Sequence, residues 1–503
     1  MIEQIGIDHN LLAKALELLS YNPEQPMIFS SGVFLLLFCC FITIYSLLQR
    51  RDTVRVLYVI AFSLYFYYKS SGLYLLLLLF SAVSDFIIGR AIDRSSDKRS
   101  RRRWLVALSV VINLGMLGYF KYTNFFIDIA SGLFGEGFLD FQNIFLPVGI
   151  SFFVFQSMSY TIDIYREKIK PLDRFEDYLF YLSFFPQLVA GPIVRAKDFL
   201  PQIRKPLHLT RQMLGMAVFL IVTGLFKKAI ISDYISLNFV DRVFDQPMLY
   251  SGFESLVAIY GYALQIYCDF SGYSDMAIGL ALMLGFTFPK NFDAPYKSAT
   301  ITEFWRRWHI SLSSWLRDYL YISLGGNRKG KIRTYINLAI TMILGGLWHG
   351  AAVRFVLWGA LHGTALALHK MWMSLMPSSK SQGADMSLAG RLVGIIFTFH
   401  LVCFGWLLFR ADSMETVSQM LYQITHNFNI GLLPQFIAGY PVIIAMLLLG
   451  YILHFLPSRL NGATAHLLTK GGFAVQVIVV VVMIWCVMQF KSSEIQPFIY
   501  FQF

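Results

Sequence analysis

The chain has 503 residues, of which 56% are hydrophobic and 14% charged. Soluble domains carry nearer a quarter of charged residues, so a string of ordinary soluble domains is excluded. The formal net charge of +12 does not indicate nucleic acid either, because the basic residues punctuate the ends of apolar runs.

In chain order, residues 1–26 form a polar N-terminal extension with Glu3, Asp8, Glu17 and Glu24. It lacks the basic start and following apolar run of a signal peptide. From Met27 onward apolar segments recur, such as VFLLLFCCFITIYSLL (33–48), YPVIIAMLLLGYILHF (440–455) and VQVIVVVVMIWCVMQF (475–490). Each is close to spanning length once its flanks are added. The expectation is an all-α polytopic membrane protein with about eleven to thirteen transmembrane or re-entrant helices. Lys69 and the following Ser-Ser-Gly predict a turn between two short spans. Arg50, Arg51, Arg55, the run RSSDKRSRRR (94–103) and REKIK (166–170) read as cytoplasmic loops, and the acidic FGEGFLD (134–140) as the opposite side. The polar stretch 376–391 is too short to fold alone. The organisation expected is therefore the extension, a catalytic membrane domain over 27–410, and further transmembrane helices of the same unit over 411–503. The five cysteines lie in or beside apolar segments without CxxC spacing, so neither a disulfide framework nor a metal site is expected.

Residues 290–333 break the pattern, being too charged for an ordinary span yet rich in aromatic residues. Thr300 or Thr302 can cap a helix with Glu303 in its first turn. From there Phe304, Trp308, Trp315 and Tyr319 fall near one face, with Arg306, Arg307, Arg317 and Asp318 elsewhere. Such a segment lies at the interface or re-enters the membrane while buried in protein.

Three histidines stand out by their company. His349 sits in GGLWHG and follows Trp348; His309 ends FWRRWH, after Trp305, Arg306 and Trp308; His362 sits in WGALHG. A polar ring at membrane depth is costly unless something satisfies or uses it. His349 reads either as a packed histidine bonded to a neighbouring helix or as a general base able to take a proton from a hydroxyl. His309, beside two arginines, reads either as part of an aromatic belt or as part of a site for something anionic or carbonyl-bearing. His362 reads first as structural. In CDFSGYSDMAIG (268–279), Asp269 and Asp275 must be paired or neutralised; Gly272 between them suggests a kinked element lining a cavity.

The chain has no GxSxG elbow, HExxH, GxxxxGK[ST] or GxGxxG, and no covalent nucleophile beside a base. Direct transfer to a hydroxyl assisted by one histidine is the simplest chemistry left. An export channel or flippase, with the histidines as gate or proton relay, is the rival from another class.

The chain resembles the membrane-bound O-acyltransferases, and within them the branch that acetylates bacterial polysaccharides such as alginate. The likeness is carried by GYFKYTNF (118–125), LPVGISFFVFQSMSYTIDIYR (146–166), PQLVAGPIVR (186–195), YCDFSGYSDMAIGL (267–280), NFDAPY (291–296), TEFWRRWHISLSSWLRDYLYISLGGNRKG (302–330) and LGGLWHGA (344–351). The resemblance implies helices around a central tunnel, His349 and His309 as the catalytic pair, and His362 as part of the polysaccharide-branch pattern. Trp305, Trp308, Trp348, Arg306, Asp269, Asp275 and Asn291 are candidate supporting or tunnel-lining residues. Arg328 and Lys329 are candidates to hold the phosphates of a donor. No bound cofactor is implied; the co-substrate would be an acyl thioester, for this branch acetyl-CoA. The implied setting is the bacterial inner membrane, with an SGNH-type acetyltransferase partner on the periplasmic side, an exported polysaccharide served indirectly, and no nucleic acid. A D-alanyl or longer-chain acyl transferase of the same family is the rival within enzymes.

Overall fold

Backbone groups facing lipid must bond within their own segment, which drives a chain this apolar to helices. In a computed structural model of the chain, every regular element among the described residues is helical. The structure describes residues 17–23, 26–135, 137–375, 387–490, 498 and 499. Most of the extension, and of the polar loop expected at 376–391, lies outside them. Contacts divide the chain into two units, Met1–Thr210 with Leu280–Phe288, and Arg211–Gly279 with Pro289–Phe503.

Among the described residues, five helical stretches are long and apolar enough to cross a bilayer, and a further pair, Ile430–Gly439 with Pro441–Phe455, is bent by 100°. Gly32–Leu47 is a shorter apolar helix, so five or six full crossings stand among the described residues beside the eleven to thirteen transmembrane or re-entrant segments expected from the sequence.

The first unit contains α1 (Gly32–Leu47), α2 (Asp52–Ser71), α3 (Leu75–Asp93), α4 (Arg99–Leu117), α5 (Thr123–Phe134), α6 (Ile150–Tyr165), α7 (Phe175–Ser183) and α8 (Ala196–Ile203). The break between α2 and α3 falls at Gly72, whose φ of +57° suits glycine. The Lys69 ammonium turns inward there and donates to the carbonyls of Leu18 and Ser20. Asp85 on α3 is fully buried and accepts from Ser109 Oγ at 2.6 Å, Asn113 Nδ2 at 2.6 Å and Ser157 Oγ at 2.5 Å. One carboxylate therefore ties α3 to α4 and α6, and Ser157 extends the network to Tyr178 of α7 at 2.8 Å.

The second unit begins with α9 (Arg211–Leu225), which continues through a π-helical stretch, Phe226–Ser232. It then contains α10 (Gly252–Met283) as far as Gly279, α11 (Ile301–Arg307), α12 (Ile310–Trp315), α13 (Lys331–His349), α14 (Val353–Leu375), α15 (Leu388–Arg410), α16 (Met414–His426), α17 (Leu433–Gly439), α18 (Pro441–Phe455), α19 (Ser458–Lys470) and α20 (Gly472–Phe490). No residue of α20 is buried, and Phe473 and Trp485 are 82% and 61% exposed, as a lipid-facing helix requires.

Gly272 does not break its helix: α10 is one continuous helix of 32 residues. The glycine instead permits close approach, since a Cβ there would lie 2.7 Å from the carbonyl oxygen of Gly224 on α9. The glycines around His349 serve α13 and α14 in the same way. A Cβ at Gly346 would lie 2.1 Å from Phe355 O, and one at Gly359 would lie 2.4 Å from Met342 O.

Candidate functional site

The site grows from the segment that joins α10 to α13. Thr300 caps α11, its side chain accepting from the Glu303 N–H at 3.1 Å, as the threonine-glutamate spacing predicts. The helix stops after Arg307, and His309 takes a left-handed conformation (φ 42°, ψ 56°) before α12 begins. The continuous helix expected through this stretch is therefore two helices with His309 at the corner. A non-glycine residue in this conformation is uncommon and is held only where its surroundings over-determine it. The expected apolar face survives the break: Phe304, Trp308, Trp315 and Tyr319 are all buried.

Asn291 is what holds the corner. Its backbone carbonyl accepts from Ile310 N–H at 2.9 Å. Its side-chain Oδ1 accepts from Ser311 N–H at 3.2 Å and Ser311 Oγ at 2.9 Å, while Nδ2 donates to Ser274 Oγ at 3.1 Å. The same Oδ1 lies 3.2 Å from His309 Nδ1. Because a backbone N–H can only donate, this atom is the acceptor oxygen, so His309 Nδ1 carries the proton toward it. In neutral His309 the lone pair then belongs to Nε2. The ring is walled by Phe270 (centroids 4.6 Å, edge-on), Phe292 (6.3 Å) and Trp348 (6.2 Å).

His349 is the last residue of α13 and is 4% exposed. Trp348 (4.9 Å), Trp358 (5.2 Å) and Phe409 (5.2 Å) enclose its ring. Trp348 thus lies against both His309 and His349. Trp358, which sequence reasoning did not single out, separates His349 from His362, whose ring centroid is 4.7 Å from the Trp358 ring. His362 is fully buried, near Trp305 at 5.2 Å, and α15 passes so close that a Cβ at Gly405 would lie 2.8 Å from His362 Nε2.

A cavity of about 460 Å³ opens beside this cluster, and His349 lines it together with Trp305, Arg306 and Trp358. Its wall is mostly apolar, with Ile310, Leu312, Leu316 and Met342, and it carries further cations at Arg317 and Lys370. Neither His309 nor His362 is among its lining residues. Arg328 and Lys329 are not either; they lie exposed in the glycine-bounded turn after α12. Asp269 and Asp275 also stand away from the cavity wall and are paired, Asp269 with Lys228 at 2.5 Å and Asp275 with Lys227 at 2.6 Å. The two lysines come from the π-helical stretch after α9, where the sequence offered no pairing signal.

The architecture can be set beside known proteins. The model of the MBOAT family, membrane-bound O-acyltransferases, matches residues 165–409, a range that contains every site residue above. A protein named "probable alginate O-acetylase" from Pseudomonas aeruginosa is 40% identical over 413 residues, covering 80% of this chain and 75% of the relative. Its namesake from Azotobacter vinelandii is 41% identical over 409 residues, covering 80% and 79%. A peptidoglycan O-acetyltransferase from Helicobacter pylori is 35% identical over 391 residues, covering 73% and 72%. With the family's model spanning the histidine cluster and two-fifths identity across most of several relatives, the chain belongs to the membrane-bound O-acyltransferase family.

Proposed function

We propose that this multi-pass membrane O-acyltransferase moves an acetyl group from a cytoplasmic thioester, acetyl-CoA in the simplest case, toward O-acetylation of an exported polysaccharide of the alginate kind. The observation that carries the reading is His349: a buried histidine at a helix end that lines a cavity of about 460 Å³ with a mostly apolar wall and three cations. The relatives named for polysaccharide and peptidoglycan acetylation support the acetyl group and the class of acceptor.

In the reaction proposed, His349 takes the proton of the acceptor hydroxyl as its oxygen attacks the thioester carbonyl. The C–O bond forms, the tetrahedral intermediate collapses, and the C–S bond breaks; the thiolate leaves and recovers a proton from the imidazolium. His309 fits the task of orienting the acceptor. Its Nδ1–H is directed at Asn291, so its Nε2 can accept from a hydroxyl but cannot, in neutral form, donate to a carbonyl. Arg306 and Lys370, with Arg317, are better placed than Arg328 and Lys329 to receive donor phosphates, because they share the cavity wall with His349. The proposed setting is the bacterial inner membrane, with an SGNH-type acetyltransferase receiving the group on the periplasmic side.

The deciding experiment uses purified protein, radiolabelled acetyl-CoA and a hydroxyl acceptor. Wild type should consume the thioester, and His349→Ala should lose about 10²–10⁴ in rate while inserting and expressing normally. A His349→Ala protein retaining more than about a tenth of wild-type turnover would refute the assignment. A wild type that moves polymer without consuming thioester would favour the channel.

A further inference from the structure

Asp269 is 2% exposed, on a helix of a membrane protein, and a carboxylate there is expensive unless it is paired. Lys228, also 2% exposed, lies 2.5 Å from it and 2.8 Å from Asp233. Two carboxylates thus share one ammonium, and neutralising Lys228 alone would need only one of them. The second oxygen of Asp269 has a different partner: it accepts the backbone N–H of Ile499 at 3.1 Å, from a segment 230 residues away in sequence. Phe498 and Ile499 are themselves 1% and 4% exposed. The Phe498 ring packs on Phe270 (5.6 Å) and Tyr273 (4.7 Å) of α10. Phe270 in turn stands edge-on to the His309 ring at 4.6 Å. The π-helical turn of Phe226–Ser232 makes the anchor available, because its widened geometry lets both Lys227 and Lys228 reach α10.

We propose that Asp269, held in place by Lys228, is a positioning residue that docks the 498–499 segment onto α10, and that the docked Phe498 fixes Phe270 and through it the His309 ring. The first half stands on geometry alone. The second rests on the acyltransferase reading.

The test uses the full chain in detergent with two independent readouts. Hydrogen exchange at the amides of 498–499 reports docking without any need for activity. Asp269→Ala should speed that exchange about tenfold or more, whereas Asp269→Asn, which keeps an acceptor oxygen, should stay near wild type. Ile499→Pro removes the donor without touching the buried ion pair, so it gives the same information if Asp269→Ala folds poorly. Acetyl transfer is the second readout: Ile499→Pro and Phe498→Ala should lower kcat roughly tenfold with KM for acetyl-CoA held within about twofold, and Phe498→Leu should recover much of the loss. Unchanged exchange at Phe498 in Ile499→Pro, or at both positions in a folded Asp269→Ala, overturns the anchor whatever the activity. Faster exchange with unchanged kcat, or a change in KM alone, overturns the link to His309. A wild type that shows protected amides but no acetyl transfer would refute the acyltransferase reading and leave the anchor standing.

Discussion

At His309 two demands meet in one residue. The backbone sits in the left-handed region with Nδ1 directed at Asn291 Oδ1, and in the proposed reaction the side chain presents Nε2 as an acceptor. Asparagine tolerates that conformation better than most residues and keeps a donor and an acceptor. His309→Asn should therefore retain more acetyl transfer than His309→Leu, which has the volume but neither the polarity nor the backbone tolerance. Equal loss in both, measured as initial rate per folded protein, would show that proton exchange at the ring is required. Donor binding gives a second contrast. A charged hydrogen bond contributes about 1.5–3 kcal/mol, so Arg306→Ala or Lys370→Ala should raise KM for acetyl-CoA about tenfold with kcat little changed. Arg328→Ala and Lys329→Ala should leave KM near wild type, because neither residue reaches the cavity wall. If the turn residues change KM and the wall residues do not, the phosphate assignment reverts to the turn.

Among the elements, α13 and α14 depend on missing side chains. Gly359→Ala would push a methyl toward Met342 O, 2.4 Å away. Overpacking of this kind typically costs about 1–3 kcal/mol, and here it would also displace the helix that carries His349. Gly359→Ala should lower the thermal midpoint in detergent and reduce transfer. Gly132→Ala on α5, where nothing lies within 4 Å of the new methyl, should be neutral or stabilising by up to about 1 kcal/mol. A Gly359→Ala protein as stable as wild type would mean the hairpin can separate without cost. These elements also show what the sequence made legible. Thr300 as a cap, the buried aromatic face and the two tryptophan–histidine pairs follow from spacing and residue type. The corner at His309 does not, because its cause is Asn291, 18 residues away in sequence. Trp358 between two histidines, and the lysines that neutralise Asp269 and Asp275, are likewise products of packing between helices distant in the chain, and no local pattern announces them.

On the scale of the whole molecule, orientation in the membrane follows from where the cations lie. Short loops rich in Lys and Arg stay cytoplasmic, so a cysteine at Ser96 should resist a membrane-impermeant thiol reagent in intact cells, and one at Asp140 should react. Gly135 is a poorer reporter on the acidic side, since its φ of +108° penalises any side chain. Cys39 and Cys40 are exposed on α1, so the background must have both replaced by alanine. Labelling at Ser96 and not at Asp140 would place the thioester entrance on the wrong side of the membrane. The network around Asp85 bears on a different question, the order in which the protein can be made. As α3 leaves the ribosome its carboxylate has none of its partners, and an aspartate near the middle of an inserting apolar helix costs about 2.5–3.5 kcal/mol even on the most lenient scale. Ser109 and Asn113 arrive with the next helix, but Ser157 is 72 residues behind. The third helix therefore has reason to wait beside the insertion machinery until α4, and then α6, emerge to receive it, and a chain interrupted between Asn113 and Ser157 would leave its carboxylate with two of its three donors.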